Sequence, residues 1–124
     1  MKAEELLALA DAAAANAYAP YSEYQVGAAV LTRNGRLFAG ANVENAAYPL
    51  GICAERSAIA KAASEGVKPG DVEAVAITAS PCGGCRQWLH EWRVGEVHFR
   101  RADGTVATYR PDDLLPETWD LPEG

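Results

Sequence analysis

Cysteine is scarce in this chain of 124 residues: there are three, beside one methionine, two phenylalanines and two histidines. Basic side chains are also few, eleven against seventeen acidic, for a net charge of -6. A protein whose main partner is a phosphate backbone needs basic patches, so this balance argues against nucleic acid as the partner. No run of about 18 apolar residues is present, which excludes a membrane-spanning helix as an expectation. The start, Met1-Lys2-Ala3-Glu4-Glu5, is acidic and helix-forming rather than a signal peptide. Reduced thiols without an export signal lead us to expect a cytoplasmic protein. No repeat, low-complexity run or linker interrupts the chain, and we expect one domain over residues 1–124.

What is there is ordinary globular sequence, 49% hydrophobic, with clear punctuation. Residues 3–18 are rich in alanine, leucine and glutamate, with Leu6, Leu7, Ala10, Ala13, Ala14 and Ala17 near a helical repeat; Pro20 ends the segment. Val26 to Thr32 and Arg36 to Ala41 flank Asn34-Gly35, a strong hairpin signal. Residues 42–52 read as a loop lying over something. A helix is expected from Cys53 to about Glu65, stopped by Gly66, then a strand over Val72 to Thr78 and a helix from Cys82 to about Trp92. Val97 to Arg100 and Val106 to Arg110 bracket Asp103-Gly104, a second hairpin, and Pro111 opens a short helical turn over Asp112 to Leu115 before a Pro-containing tail. Interleaved helices and strands argue for a layered α/β domain.

All three cysteines fall in two short segments, Cys53-Ala54-Glu55-Arg56 and Pro81-Cys82-Gly83-Gly84-Cys85. Thiolates are soft ligands that suit zinc, and a catalytic zinc site takes three protein ligands and leaves a fourth position for water. Glu55, two residues after Cys53, is then the candidate proton carrier. Three other readings stand beside this one. A C-x-x-C pair also serves as a redox dithiol, a structural zinc site is closed by four protein ligands, and free cysteines often simply pack in a core. His90 and His98 stand at no ligand-like spacing from a cysteine and read as ordinary helix and strand residues.

The order Cys-x-Glu followed by Pro-Cys-x-x-Cys resembles the signature of zinc deaminases. Three surrounding segments, Tyr21 to Ala29, Asn42 through Arg56 and Cys82 through Gln87, resemble the small, homotetrameric cytidine deaminases whose zinc site is all cysteine. The resemblance covers roughly residues 5 to 119. It implies a three-layer αβα sandwich around a five-stranded mixed sheet, with the last two strands antiparallel. It also implies one zinc per chain on Cys53, Cys82 and Cys85, with Arg56 hydrogen-bonded to the sulfurs and offsetting their charge. The implied reaction is hydrolysis of cytidine or 2'-deoxycytidine to uridine or 2'-deoxyuridine and ammonia, a pyrimidine-salvage step. In it Glu55 is the general acid/base, donating to N3 of the ring while activated water attacks C4.

By the same resemblance, Asn42 and Glu44 hold the ribose 3'-hydroxyl, and Tyr24 stands where a phenylalanine usually stacks on the base. The N–H of Ala54 and the carbonyl of Ser80 read the pyrimidine edge. Relatives share active sites between subunits, with the 42–52 loop, including Ala46 and Tyr48, as the borrowed part. Trp119 replaces a phenylalanine expected near the pocket lid, and Ala79-Ser80 replaces a longer loop; both changes bear on selectivity. An uncharged nucleoside agrees with the acidic composition. The competing readings are a deaminase of another aminopyrimidine, such as a cytosine-containing antibiotic, a polynucleotide editor, which the acidity opposes, and a non-catalytic zinc-stabilised binding module.

Overall fold

Alternation along the strands divides the molecule into two cores. In a computed structural model describing residues 1–120, successive residues of each strand point to opposite faces of one sheet. Ala29 and Leu31 of the first strand meet Ala74 and Ala76 of the third on one face, under Leu6, Leu7 and Ala10 of the first helix. Ala28, Val30, Val75, Ile77, Val97 and Phe99 face the other way, against Ala54, Ala58, Ile59 and Leu89. The result is the expected helix–sheet–helix layering.

The elements run α1 (Ala3–Ala14), β1 (Gly27–Thr32), β2 (Leu37–Ala41), α2 (Ala54–Ser64), β3 (Val72–Ile77), α3 (Gly83–Glu91), β4 (Glu96–Arg100), β5 (Val106–Tyr109) and α4 (Pro111–Leu114). The sheet order is β2-β1-β3-β4-β5. β3 and β4 are parallel, joined by the α3 crossover, whereas β4 and β5 are antiparallel through the tight Asp103-Gly104 turn. The mixed five-stranded sheet with antiparallel last strands is therefore as expected. Gly35, Gly66 and Gly104 all take positive φ, as hairpin turns and a helix stop require.

Two boundaries differ from the sequence reading. The first helix stops at Ala14 rather than reaching residue 18. The reason is tertiary: the Tyr18 N–H donates to the Asn42 carbonyl at 3.0 Å, and its own carbonyl accepts from Glu44 N at 2.8 Å. A residue pairing in that way cannot also continue a helix. Within the 42–52 loop, Val43 pairs antiparallel with Ile52 and Tyr48–Leu50 form one 3-10 turn. Residues 121–124, the end of the proposed Pro-containing tail, lie outside the described residues. Among the described residues, no helix is long and apolar enough to cross a membrane.

Candidate metal centre and active site

Both cysteine segments end at a helix start. Cys53 is the N-cap of α2 and Cys82 the N-cap of α3, each in extended backbone, and Cys85 lies in the first turn of α3. The first N–H groups of a helix lack intrahelical partners, and the end carries partial positive charge. Sulfurs gathered there find donors that favour the thiolate.

The fold brings the three together, with all Sγ atoms within 4.8 Å of one another. Two sulfurs each about 2.3 Å from one zinc ion stand roughly 3.8 Å apart in a tetrahedral site, so little adjustment is needed. Among the described residues, no fourth His, Cys, Asp or Glu ligand atom joins the trio. His90 instead lies between Asp112 and Asp120, and buried His98 contacts Thr108 and Glu96. All three cysteines are free, so a disulfide is not part of the arrangement.

The electrostatics of the cluster favour a cation at its centre. Burial, then the Cys82 and Glu55 charges, push the Cys53 thiol up despite a hydrogen bond from Cys85. Burial and the neighbouring Glu55 and Cys53 push Cys85 up much further. Cys82 goes the other way: burial opposes its ionisation, but backbone N–H groups of Cys85 and Gly84 and the two neighbouring thiols outweigh it. Three thiolates this close need a compensating charge. Arg56 supplies part of one. Burial works against its guanidinium, yet the attraction of Cys85, Cys53 and Cys82 raises its pKa on balance. Its buried Nε has no hydrogen-bond partner among the described residues, while the guanidinium as a whole interacts with the three cysteines. Gly84 makes room, since a Cβ there would lie 2.2 Å from Nη2 of Arg56. The donor set and the orphaned N–H both fit a soft divalent metal bound as a tris-thiolate.

Glu55 occupies the first turn of α2 and is 3% exposed. Burial raises its pKa above the ordinary carboxylate range, opposed by a backbone hydrogen bond, the Cys85 thiol and Arg56. It lines a cavity of about 570 Å³ together with Cys53 and Cys82. That volume is within the roughly 300–1,000 Å³ usual for small-molecule sites. The opposite wall includes Tyr24, Asn42, Glu44 and Tyr48, and Ala54 and Ser80 also face the cavity.

The family model describing the cytidine and deoxycytidylate deaminase zinc-binding region matches residues 1–101. The chain belongs to that deaminase family. A cytidine deaminase of Sporosarcina psychrophila is 40% identical over 94% of this chain and 90% of its own. One from Halalkalibacterium halodurans is 44% identical over 81% and 80%. The crystal structure of cytidine deaminase from Burkholderia pseudomallei superposes with a TM-score of 0.90 at 41% identity, covering 96% of this chain and all of that one.

Against this deaminase frame, the expected site residues fall into two groups. Cys53, Cys82, Glu55, Ala54, Ser80, Tyr24, Asn42, Glu44 and Tyr48 line one cavity; Cys85 and Arg56 belong to the sulfur cluster without lining it. Ala46 and Trp119 are not part of the wall, and Trp119 is 68% exposed.

The structure gives Glu44 and Asn42 contacts that the sequence reading did not foresee. Glu44 accepts from the N–H groups of Tyr21 and Ser22 at 3.0 and 3.1 Å and from the Ser22 hydroxyl, which holds its pKa low. Asn42 accepts from Val26 N at 2.8 Å and donates to the Tyr24 carbonyl at 2.9 Å. The two side chains thus anchor the 21–26 segment as one wall of the cavity. Their position just after β2 signalled importance, but not this second task.

Proposed function

We propose that this chain hydrolytically deaminates cytidine and 2'-deoxycytidine, releasing ammonia and giving uridine and 2'-deoxyuridine. The observation that carries the reading is buried Glu55 beside three clustered sulfurs, at a cavity whose wall contains no lysine, arginine or histidine among the described residues. One zinc ion held by Cys53, Cys82 and Cys85 would supply the Lewis acidity that activates a water for attack on C4. Glu55 moves the protons. Its carboxylate would take one proton from the attacking water and pass it to N3 of the ring, then take the second from the hydroxyl formed at C4 and pass it to the amine leaving as ammonia. Burial, which raises its pKa, suits a group that both takes and returns a proton.

Positioning falls to the rest of the wall. Tyr24 offers a ring for the base, while the N–H of Ala54, unpartnered as the first residue of α2, and the Ser80 carbonyl suit the pyrimidine edge. Asn42 retains one amide N–H and Glu44 retains acceptor capacity on Oε2 after their contacts with the 21–26 segment. Those remaining groups suit a ribose hydroxyl. A site built to bind a hydroxyl rejects analogues lacking it, so free cytosine should be a poor substrate. The 5'-monophosphate should be poor too, since the wall offers a phosphate no cationic side chain among the described residues, while Glu44 and Glu55 are acidic.

Exposed Tyr21, Tyr48, Leu50 and Ile52 beside the cavity support a homotetramer with shared active sites, in which Ala46, Tyr48 and Trp119 serve sites at subunit boundaries. We place it in the cytoplasm, where the three thiols stay reduced. The test is zinc content, solution mass and loss of cytidine's ultraviolet band, measured beside cytosine and deoxycytidine monophosphate. Turnover of both nucleosides with about one zinc per chain supports the reading. Bound zinc without turnover of any cytosine nucleoside makes the protein a zinc-stabilised binding module instead.

A further inference from the structure

The connector between β3 and α3 carries Cys82, yet almost nothing in the backbone holds it. Among the described residues, no backbone–backbone hydrogen bond involves Ala79, Ser80 or Pro81; the last tie before them is Thr78 N to the Gly27 carbonyl at 3.0 Å. Pro81 has no N–H to offer, so its carbonyl is its only backbone hydrogen-bonding group. One side chain supplies the missing anchorage. Nε of Arg86 donates to the Pro81 carbonyl at 2.9 Å, Nη1 to the Leu114 carbonyl at 3.0 Å, and Nη2 makes a longer contact of 3.4 Å with the Ser80 hydroxyl.

We propose that Arg86 is a positioning residue for the active site, pinning the Ser80-Pro81-Cys82 connector to the end of α4. It rests on the proposed function for its catalytic consequence, though not for the contact itself. The guanidinium fork suits the task, because its rigid plane presents N–H groups in different directions to two carbonyls at once. Leu114 is buried, and its carbonyl is among the last of a short helix, where a cation is favoured. Arg86 also sits on the first turn of α3, and its own N–H closes on the Cys82 carbonyl at 2.9 Å. Backbone and side chain of one residue therefore grip the segment that brings Cys82 and Ser80 to the cavity.

The test uses the full-length, zinc-loaded protein with Arg86→Lys and Arg86→Met. A lysine ammonium keeps the charge but presents one compact head, which does not bridge acceptors on two separate segments as the fork does. Three readouts are followed: amide hydrogen exchange in the peptide spanning 79–91, which includes the Arg86 N–H bonded to the Cys82 carbonyl, the rate of zinc loss to a competing chelator, and KM and kcat for cytidine. We expect zinc loss at least about tenfold faster in Arg86→Lys, as is usual when a group orienting a metal ligand is lost, and faster exchange with it. KM should rise more than kcat falls, and added guanidinium should partly restore Arg86→Met. Unchanged exchange and zinc loss in Arg86→Lys, with only a lower melting temperature, would reduce the residue to a stabilising contact and overturn the proposal. Hydrogen exchange reads the anchorage whether or not cytidine is turned over, so failure of the functional reading would show separately in the wild-type assay.

Discussion

Gly40→Ala should damage the active site from outside it. Gly40 lies on β2 opposite Ala28, where α2 crosses the sheet most closely. A Cβ at this position would stand 2.5 Å from the Ala58 nitrogen, 2.8 Å from the Ser57 hydroxyl and 3.0 Å from the Ala58 Cα. Two of these three are backbone atoms of a helix and cannot rotate away. To restore ordinary van der Waals contact, α2 must retreat by about 0.9 Å. Overpacking of this kind costs about 1–3 kcal/mol of stability. The larger effect is on geometry, because α2 carries Cys53 and Glu55 while Cys82 and Cys85 belong to α3. A misplacement of about 1 Å costs roughly 10²-fold in rate, so kcat/KM per folded molecule should fall by about that factor. Leu7→Ala is the matched control. It empties a site on the opposite face of the sheet and should cost about 2–5 kcal/mol, at least as much stability, while leaving the sulfurs where they are. Both variants are assayed for cytidine turnover well below their melting transitions, with the folded fraction measured by circular dichroism. Activity of Gly40→Ala within twofold of wild type, or an equal loss in Leu7→Ala, would refute the coupling of β2 packing to the site.

Arg56→Gln should weaken zinc retention by about 10–100-fold in competition with a chelator, because a group that offsets the sulfur charge is lost; unchanged affinity would remove Arg56 from the site. His90 gives a pH dependence. Asp120 first, and then Asp112, raise its pKa above the ordinary 6.5 against a desolvation cost. A raised folded-state pKa means that the contribution of the clasp is fully present below the unfolded value and is lost as pH rises through the folded one. The melting temperature of wild type should therefore exceed that of His90→Gln most below the ordinary value of 6.5, with the gap closing as the pH rises above it through the raised folded-state value. A gap that widens with pH would have the opposite sign and contradict the assignment.

Much of the fold was legible because its signals are local. Asn34-Gly35 and Asp103-Gly104 demand positive φ at the glycines, and both sit at hairpin turns; Gly66 ends α2 for the same reason. The cysteine segments were legible as chemistry, since thiolate pairs at short spacing beside a glutamate have few uses. What escaped the sequence is tertiary. The early end of α1 is set by Tyr18 pairing with the segment after β2, which nothing in residues 3–18 reveals. The same holds for the contacts of Glu44 with Tyr21 and Ser22 and of Arg86 with Leu114, each between residues more than twenty positions apart. Trp119 and Ala46 were placed in the site by resemblance, and in the single chain neither lines the cavity.

The most direct test of the account is Glu55→Gln, which keeps side-chain size and hydrogen-bonding capacity while removing the titrating group. Zinc per chain and cytidine turnover should be measured on the same preparations. With the sulfurs as ligands and Glu55 as proton carrier, zinc should stay near one per chain while kcat falls by about 10²–10⁴-fold or more. Turnover within a few-fold of wild type, or loss of the metal together with the activity, would contradict that division of labour between the three cysteines and the buried carboxyl group.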